Sequence, residues 1–242
     1  MLFPCKDIVW NFYGKFVYLC CLFVFVCMKE KKLIAFDMFN TWVSAPTWPN
    51  PYKGIFSQLW IEWQLYKNLA YIVQTTDADI VEILQKNKAA KISDALLSKF
   101  NSDIDAQLSS LSLYDDFLPT IDILRKKWYK TAVVSNLSKP YSYPLTNLVS
   151  KDMFDYKILS YEVGMQKPDR NIFDYLKKIS WYGSDEIIMV GDSLKSDVQW
   201  AKNADIQPVH IDRFSNGLVY HADYISISTL KQLLGILEIK KS

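Results

Sequence analysis

Beyond residue 27 the chain has no cysteine. Cys5, Cys20, Cys21 and Cys27 make up the whole complement. A disulfide framework spreads its cysteines through the fold, so the body of the protein carries no sign of an oxidising compartment. Histidine is scarce too, with only His210 and His221. That argues against a His-rich metal site or a histidine-based triad. The formal net charge is +2. No concentrated basic face suggests a nucleic-acid partner, and none is expected. Glycine numbers 7, where average usage would give roughly 17. Tryptophan reaches 8, an unusually high count.

What is present can build a core. The chain has 242 residues, 50% hydrophobic and 22% charged. That suits one domain with an inserted subdomain and excludes wholesale disorder. Residues 1–28 stand apart. Phe16 to Met28 reads FVYLCCLFVFVCM, shorter than the roughly 20 apolar residues of a membrane-spanning helix. Its length fits a signal-peptide core, but no small-x-small cleavage site follows. Lys29, Lys31 and Lys32 would keep the following domain cytoplasmic if the segment inserted. MKEKKLIAFD, from Met28, also reads as a start of its own, with residues 1–27 as upstream translation. A cytoplasmic location is expected on either account.

After this segment, short apolar runs alternate with helical stretches. KLIAFD (32–37), TAVVSN (131–136), YKILS (156–160), EIIMVGD (186–192), IQPVHI (206–211) and DYISI (223–227) read as strands. Helices are predicted from Pro119 to about Lys127, over Asn171–Ile179 and over Ser196–Asn203. Strands alternating with helices predict an α/β fold with a mostly parallel sheet covered on both faces. Pro46, Pro49, Pro51 and Gly54 mark residues 43–56 as a linker. Residues 57–110 show helical spacing, as in Leu59, Trp63, Tyr66 and Leu69. The domain expectation is an extension over 1–28, a core over 29–45 and 112–242, and a helical cap over 46–111.

Acids, a hydroxyl and a lysine fall at the predicted strand tips, where open α/β sheets bind ligands. The segments are FDMFNT (36–41), VVSN (133–136), GMQKPDRNIF (164–173) and VGDSLKSD (190–197). Each alone has an ordinary explanation, such as helix capping by Asp37 or turn chemistry by Ser135 and Asn136. Four in order are harder to dismiss. Together they resemble the motifs of the haloacid dehalogenase superfamily, most of whose members are phosphatases. The resemblance runs from about Lys31 to the C-terminus. It implies a three-layer, Rossmann-like sandwich with an α-helical cap. It further implies Asp37 as nucleophile, Ser135 as phosphate holder and Lys167 as orienting cation. Asn136 and Thr41 would touch substrate. A Mg2+ ion would be held by Asp37, Asp192, Asp197 and the backbone carbonyl of Phe39. The implied substrate is a small phosphorylated molecule.

The chemistry is consistent with that grouping. A carboxylate nucleophile needs no deprotonation at neutral pH, but it must approach an anionic phosphate. A divalent cation and a lysine cancel the repulsion. Magnesium prefers oxygen ligands and uses a few carboxylates.

Two departures stand out. Phe39 occupies the position where the family's phosphatases carry the acid–base Asp, and it cannot protonate a leaving oxygen. The family's 2-haloacid dehalogenases also have an aromatic there, which makes dehalogenation the rival reading. Those enzymes need no metal and resemble Ser and Asn where this chain has Asp192 and Leu194. A degenerate member that binds a phosphorylated ligand without turnover is a third reading. Second, Trp128 and Trp200 stand where the family usually has glycine. They, with Trp42 and Trp181, are candidates for UGA codons read as glycine. Trp60, Trp63 and Tyr66 suit a pocket wall or simple packing, and Lys53 and Phe56 lie near the junction without an assigned role.

Overall fold

The computed structural model describes residues 32–45 and 49–238. The expectations for residues 1–28 lie outside them. Strand β1 is Leu33–Phe36 and β2 is Val43–Ser44. Four helices follow, α1 (Pro51–Gln58), α2 (Trp63–Thr75), α3 (Ile80–Lys86) and α4 (Asp94–Ser109). The chain returns through β3 (Ser112–Leu113), α5 (Phe117–Lys126), β4 (Lys130–Ser135), α6 (Tyr143–Asn147) and β5 (Tyr156–Leu159). Then come α7 (Ser160–Val163), α8 (Arg170–Ser180), β6 (Ile187–Gly191), α9 (Trp200–Asn203) and β7 (Gln207–Ile211). The described chain ends with β8 (Val219–Tyr220), β9 (Ile225–Ile227) and α10 (Leu230–Glu238).

The main sheet runs β5-β4-β1-β6-β7-β9-β8, parallel except for the β8–β9 pair. The predicted α/β class holds. Alternation along each strand divides the core. Ile34, Phe36, Val133, Ile188 and Val190 face α5 and α10 residues such as Phe117, Ile121 and Leu233. Leu33, Ala35, Ala132, Val134 and Met189 face Ile172, Phe173 and Leu176 of α8. Strands buried on both sides read as continuous apolar runs, which is why they were visible in the sequence. The helical unit has a core of its own, built on Phe56, Leu69, Ile83, Leu84 and Phe100.

Several local expectations are corrected. Residues 43–56 are not a plain linker. Val43 and Ser44 pair with Leu113 and Ser112 as an antiparallel ribbon, and α1 begins at Pro51, capped by the Asn50 side chain. A proline at the first helical position starts a helix as readily as it marks a loop. The predicted helix over Ser196–Asn203 is α-helical only from Trp200. Leu194–Gln199 forms a wide π turn instead.

The tryptophans divide sharply. Trp42 is fully buried and stacks on Phe117 with ring centroids 4.6 Å apart, so it is a core residue. Trp200 has φ −84° and packs partly against the second core cluster. Trp128 and Trp181 have φ of 66° and 62°, and Trp60 has 53°. These three are 90%, 91% and 91% exposed. Trp63 is also exposed, stacked on Tyr66 rather than lining a wall.

Candidate active site

The site begins at the reversal in strand order. β1 lies between β4 and β6, so the tips of these strands end side by side. Such a switch point leaves a crevice beyond the carboxyl ends of the strands. Phe36 is level with Val133 and Val190, and the Asp37 amide donates to the Val190 carbonyl at 2.8 Å. The next residue on β6 is Gly191. A Cβ there would lie 2.3 Å from Asp197 Oδ2. Glycine at 191 is therefore what lets the Asp197 carboxylate sit against the strand. The π turn brings Asp197 inward, with its amide bonded back to Ser193 O at 3.0 Å and its Oδ2 accepting from Ser193 N at 3.0 Å. π turns recur at functional sites because they re-aim one side chain.

Carboxylate oxygens of Asp37, Asp192 and Asp197 all lie within 4.8 Å of one another. Lys167, on the loop before α8, reaches between two of them. Its Nζ lies 2.8 Å from Asp37 Oδ1 and 2.5 Å from Asp197 Oδ1. Burial alone would push the ammonium down, but the Asp197 and Asp37 charges outweigh it and hold Lys167 above its ordinary range. Burial pushes the Asp197 carboxyl up to about 6, with Asp37 adding to the rise and Lys167 opposing it. Burial and then the Asp37 charge likewise raise Asp192. Three carboxylates against one ammonium leave excess negative charge, which is an environment for a cation.

The remaining candidates fall around this group. Ser135 is buried at the tip of β4. Asn136 turns to the Lys167 backbone, donating from Nδ2 to its carbonyl at 2.5 Å and accepting from its amide at 2.7 Å. It therefore fixes the Lys167 loop. Thr41 is enclosed, and its hydroxyl has no partner among the described residues. Phe39 pairs as a lone bridge with Val43, and its ring meets Tyr141 edge-on at 6.0 Å.

Several supporting residues escaped the sequence reading. Asn40 adopts φ 54° and donates from Nδ2 to Asp192 Oδ2 at 3.1 Å. Asparagine tolerates this left-handed region, so an Asn three residues after a strand-end Asp was a usable signal. His210 on β7 lies 3.0 Å from the Asp192 carbonyl through Nε2. Arg213 bonds to Asp116 at 2.7 Å and to the Thr41 carbonyl, bracing the β1 loop from behind. No local pattern marks a brace between positions so far apart in sequence.

A family model for haloacid dehalogenase-like hydrolases matches residues 34–211. The chain belongs to this family. Among curated relatives, a glyceraldehyde 3-phosphate phosphatase of Pyrococcus furiosus is 34% identical over 125 residues, 48% of this chain and 50% of that protein. The chain spans about half the length of the curated relatives it matches. The solved structure of a phosphatase of this family from Thermococcus onnurineus is 26% identical, with TM-score 0.56 over 86% of this chain and 98% of that one. Two structures share the fold at lower identity. A 2-haloacid dehalogenase from Pseudomonas syringae is 19% identical, with TM-score 0.61 over 86% of this chain and 98% of that one. The magnesium-bound YfnB hydrolase of Bacillus subtilis is 17% identical, with TM-score 0.57 over 87% of this chain and 100% of that one. The fold thus hosts both chemistries, and the choice between them rests on the residues of the site. Among the described residues no helix is long and apolar enough to cross a membrane.

Proposed function

We propose that this hydrolase is a Mg2+-dependent phosphatase of small phosphorylated molecules, working through an aspartyl-phosphate on Asp37. The observation that carries the reading is the convergence of Asp37, Asp192 and Asp197 within 4.8 Å, with Lys167 bridging two of them. The donor set is all hard carboxylate oxygen, which suits Mg2+. Asp37, Asp192, Asp197 and the Phe39 carbonyl would hold the ion. When bound, it offsets the charge repulsion between carboxylate and phosphate.

The protein's own groups do the rest. The Asp37 carboxylate attacks phosphorus, the P–O bond to the leaving group breaks, and a water later releases the phosphate. Lys167 holds Asp37 in place through its ion pair, and its ammonium stabilises charge on the phosphoryl oxygens. Asn136 holds the Lys167 loop, and Ser135 offers a hydroxyl at the strand tip. No acid stands at position 39, so the leaving oxygen departs without the roughly 10²–10⁴-fold help of a proton donor. The substrates favoured are those with good leaving groups: acyl, aryl or anhydride phosphates.

A second reading rests on Phe39, whose ring lines the cavity beside the site. In it Asp37 displaces halide from a 2-haloacid. The acidic pair Asp192 and Asp197 weighs against it, because that chemistry needs no cation. A screen of phosphate esters with Mg2+, run beside chloroacetate without metal, separates the two. Phosphate release that vanishes with chelator supports the proposal. Dehalogenation of chloroacetate with every phosphate ester untouched overturns it.

A further inference from the structure

A cavity of about 280 Å³ opens between the helical unit and the sheet domain. Phe39 and Asn136 line it, one two residues beyond Asp37 and the other next to Ser135, whereas Asp37, Ser135, Asp192 and Asp197 themselves are not among the described residues that line it. Phe56, Tyr66 and Tyr141 give it aromatic walls. Its volume lies at the small end for ligand pockets, enough for a single ring or a short chain. Among the described residues Lys53 of α1, itself exposed, is the one charged residue lining it, and no carboxylate does. Lys53 makes no ion pair among the described residues. Lys167 is committed to Asp37 and Asp197 and does not line this space. The cavity therefore carries a positive charge of its own, separate from the phosphoryl centre.

We infer that Lys53 pairs with a second anionic group, a carboxylate, on the leaving-group side of the substrate. This rests on the phosphatase reading and narrows it to a compact phosphorylated molecule whose leaving group carries an acid. The test compares 4-carboxyphenyl phosphate with its uncharged 4-carbamoyl analogue, with Mg2+ present. Wild type should prefer the carboxylate, and Lys53→Ala should lower the ratio of kcat/KM by about tenfold, chiefly through KM. Lys53→Arg should restore the preference, which a merely structural role would not require. Hydrolysis of both esters with no preference, or an unchanged ratio in Lys53→Ala, overturns the Lys53 assignment alone. Hydrolysis of neither overturns the phosphatase reading with it.

An independent observation concerns three helix ends. Trp60 follows α1, with its amide on Ser57 O and the next amide, of Ile61, on Phe56 O. Trp128 follows α5 in the same pattern, its amide on Arg125 O and that of Tyr129 on Leu124 O. Trp181 ends α8 with its amide on Lys177 O. These are the hydrogen bonds of helix terminators that call for a left-handed residue, most often glycine. Lys88 after α3 and Asp205 after α9 close their helices with the same bonds at φ 49° and 60°, but there an exposed charged side chain stands in water, whereas a tryptophan puts a large apolar ring there. Each tryptophan side chain points into solvent and contributes almost no burial. The geometry points to glycine at 60, 128 and 181 in the protein as its own cell makes it, with these codons read as glycine there. Trp42, locked into the core, is excluded. Sequencing the codons and weighing peptides of the native protein test this. UGA at all three positions, with glycine masses, is expected, and UGG at Trp42. UGG or a tryptophan mass at any of the three overturns it.

Discussion

Replacing Trp60, Trp128 and Trp181 together by glycine should stabilise the tryptophan-bearing chain. A side chain forced into the left-handed region costs about 1–2 kcal/mol per residue, because Cβ crowds the following carbonyl. Glycine removes that strain but gives the unfolded chain extra freedom, worth about 0.4–1 kcal/mol against folding. The rings are about nine-tenths exposed, so truncation forfeits little packing. The net gain is then about 0.5–1 kcal/mol per site. The three sites terminate different helices, and independent sites add. The triple variant should gain about 2 kcal/mol, or about 4–8 °C in Tm for a chain of this size. Urea unfolding followed by circular dichroism reads the same gain as a higher midpoint. Trp42→Gly is the counterpart, and loss of its stacked ring should cost at least about 3 kcal/mol. A triple variant melting at or below the parent refutes the strain argument.

Gly191→Ala places a methyl where Asp197 Oδ2 now sits. It should displace that carboxylate and weaken Mg2+ binding at least tenfold by calorimetry, while the far-UV spectrum stays native. Lys167→Ala leaves Asp37 and Asp197 uncompensated in a buried site. In metal-free protein it should cost about 3–5 kcal/mol in urea unfolding. The raised Asp197 carboxyl has a pH consequence. Its folded pKa of about 6 lies above the unfolded value of 3.8, so the folded state binds the proton more tightly. Metal-free stability attributable to this group should therefore rise as pH falls from about 7 towards about 5. Urea midpoints across that range check it, and Asp197→Asn should flatten the trend. Phe39→Asp, which puts an acid two residues beyond Asp37, should raise activity on poor leaving groups more than on aryl phosphates.

The sheet was legible because its strands are buried on both faces and so appear as unbroken apolar runs such as IIMVG. The acids at the strand tips were legible only as a set: each alone reads as a helix cap or a solvated turn, but Asp37, Ser135, Lys167 and Asp192 fall in order at or beyond successive strand ends. The two-residue ribbon of β2 and β3 was not, since its partners lie far apart in sequence and neither shows an alternating pattern. The π turn was also hidden. LKSDVQ has ordinary helical composition, and only the fit of Asp197 against Gly191 makes the wider turn intelligible. Arg213 and His210 act on residues distant in sequence, so nothing in their own neighbourhood announced them. Trp60 shows the reverse. Helical spacing suggested packing or a pocket wall, but its place one residue past the helix cap sends it to solvent.

The most direct measurement is formation of the covalent intermediate. Protein incubated with Mg2+ and a ³²P-labelled acyl phosphate, then acid-quenched, should retain label at a single hydroxylamine-sensitive site on Asp37, with none in Asp37→Asn. Label retained by Asp37→Asn, or an unlabelled wild type that still releases phosphate, would contradict a nucleophilic Asp37.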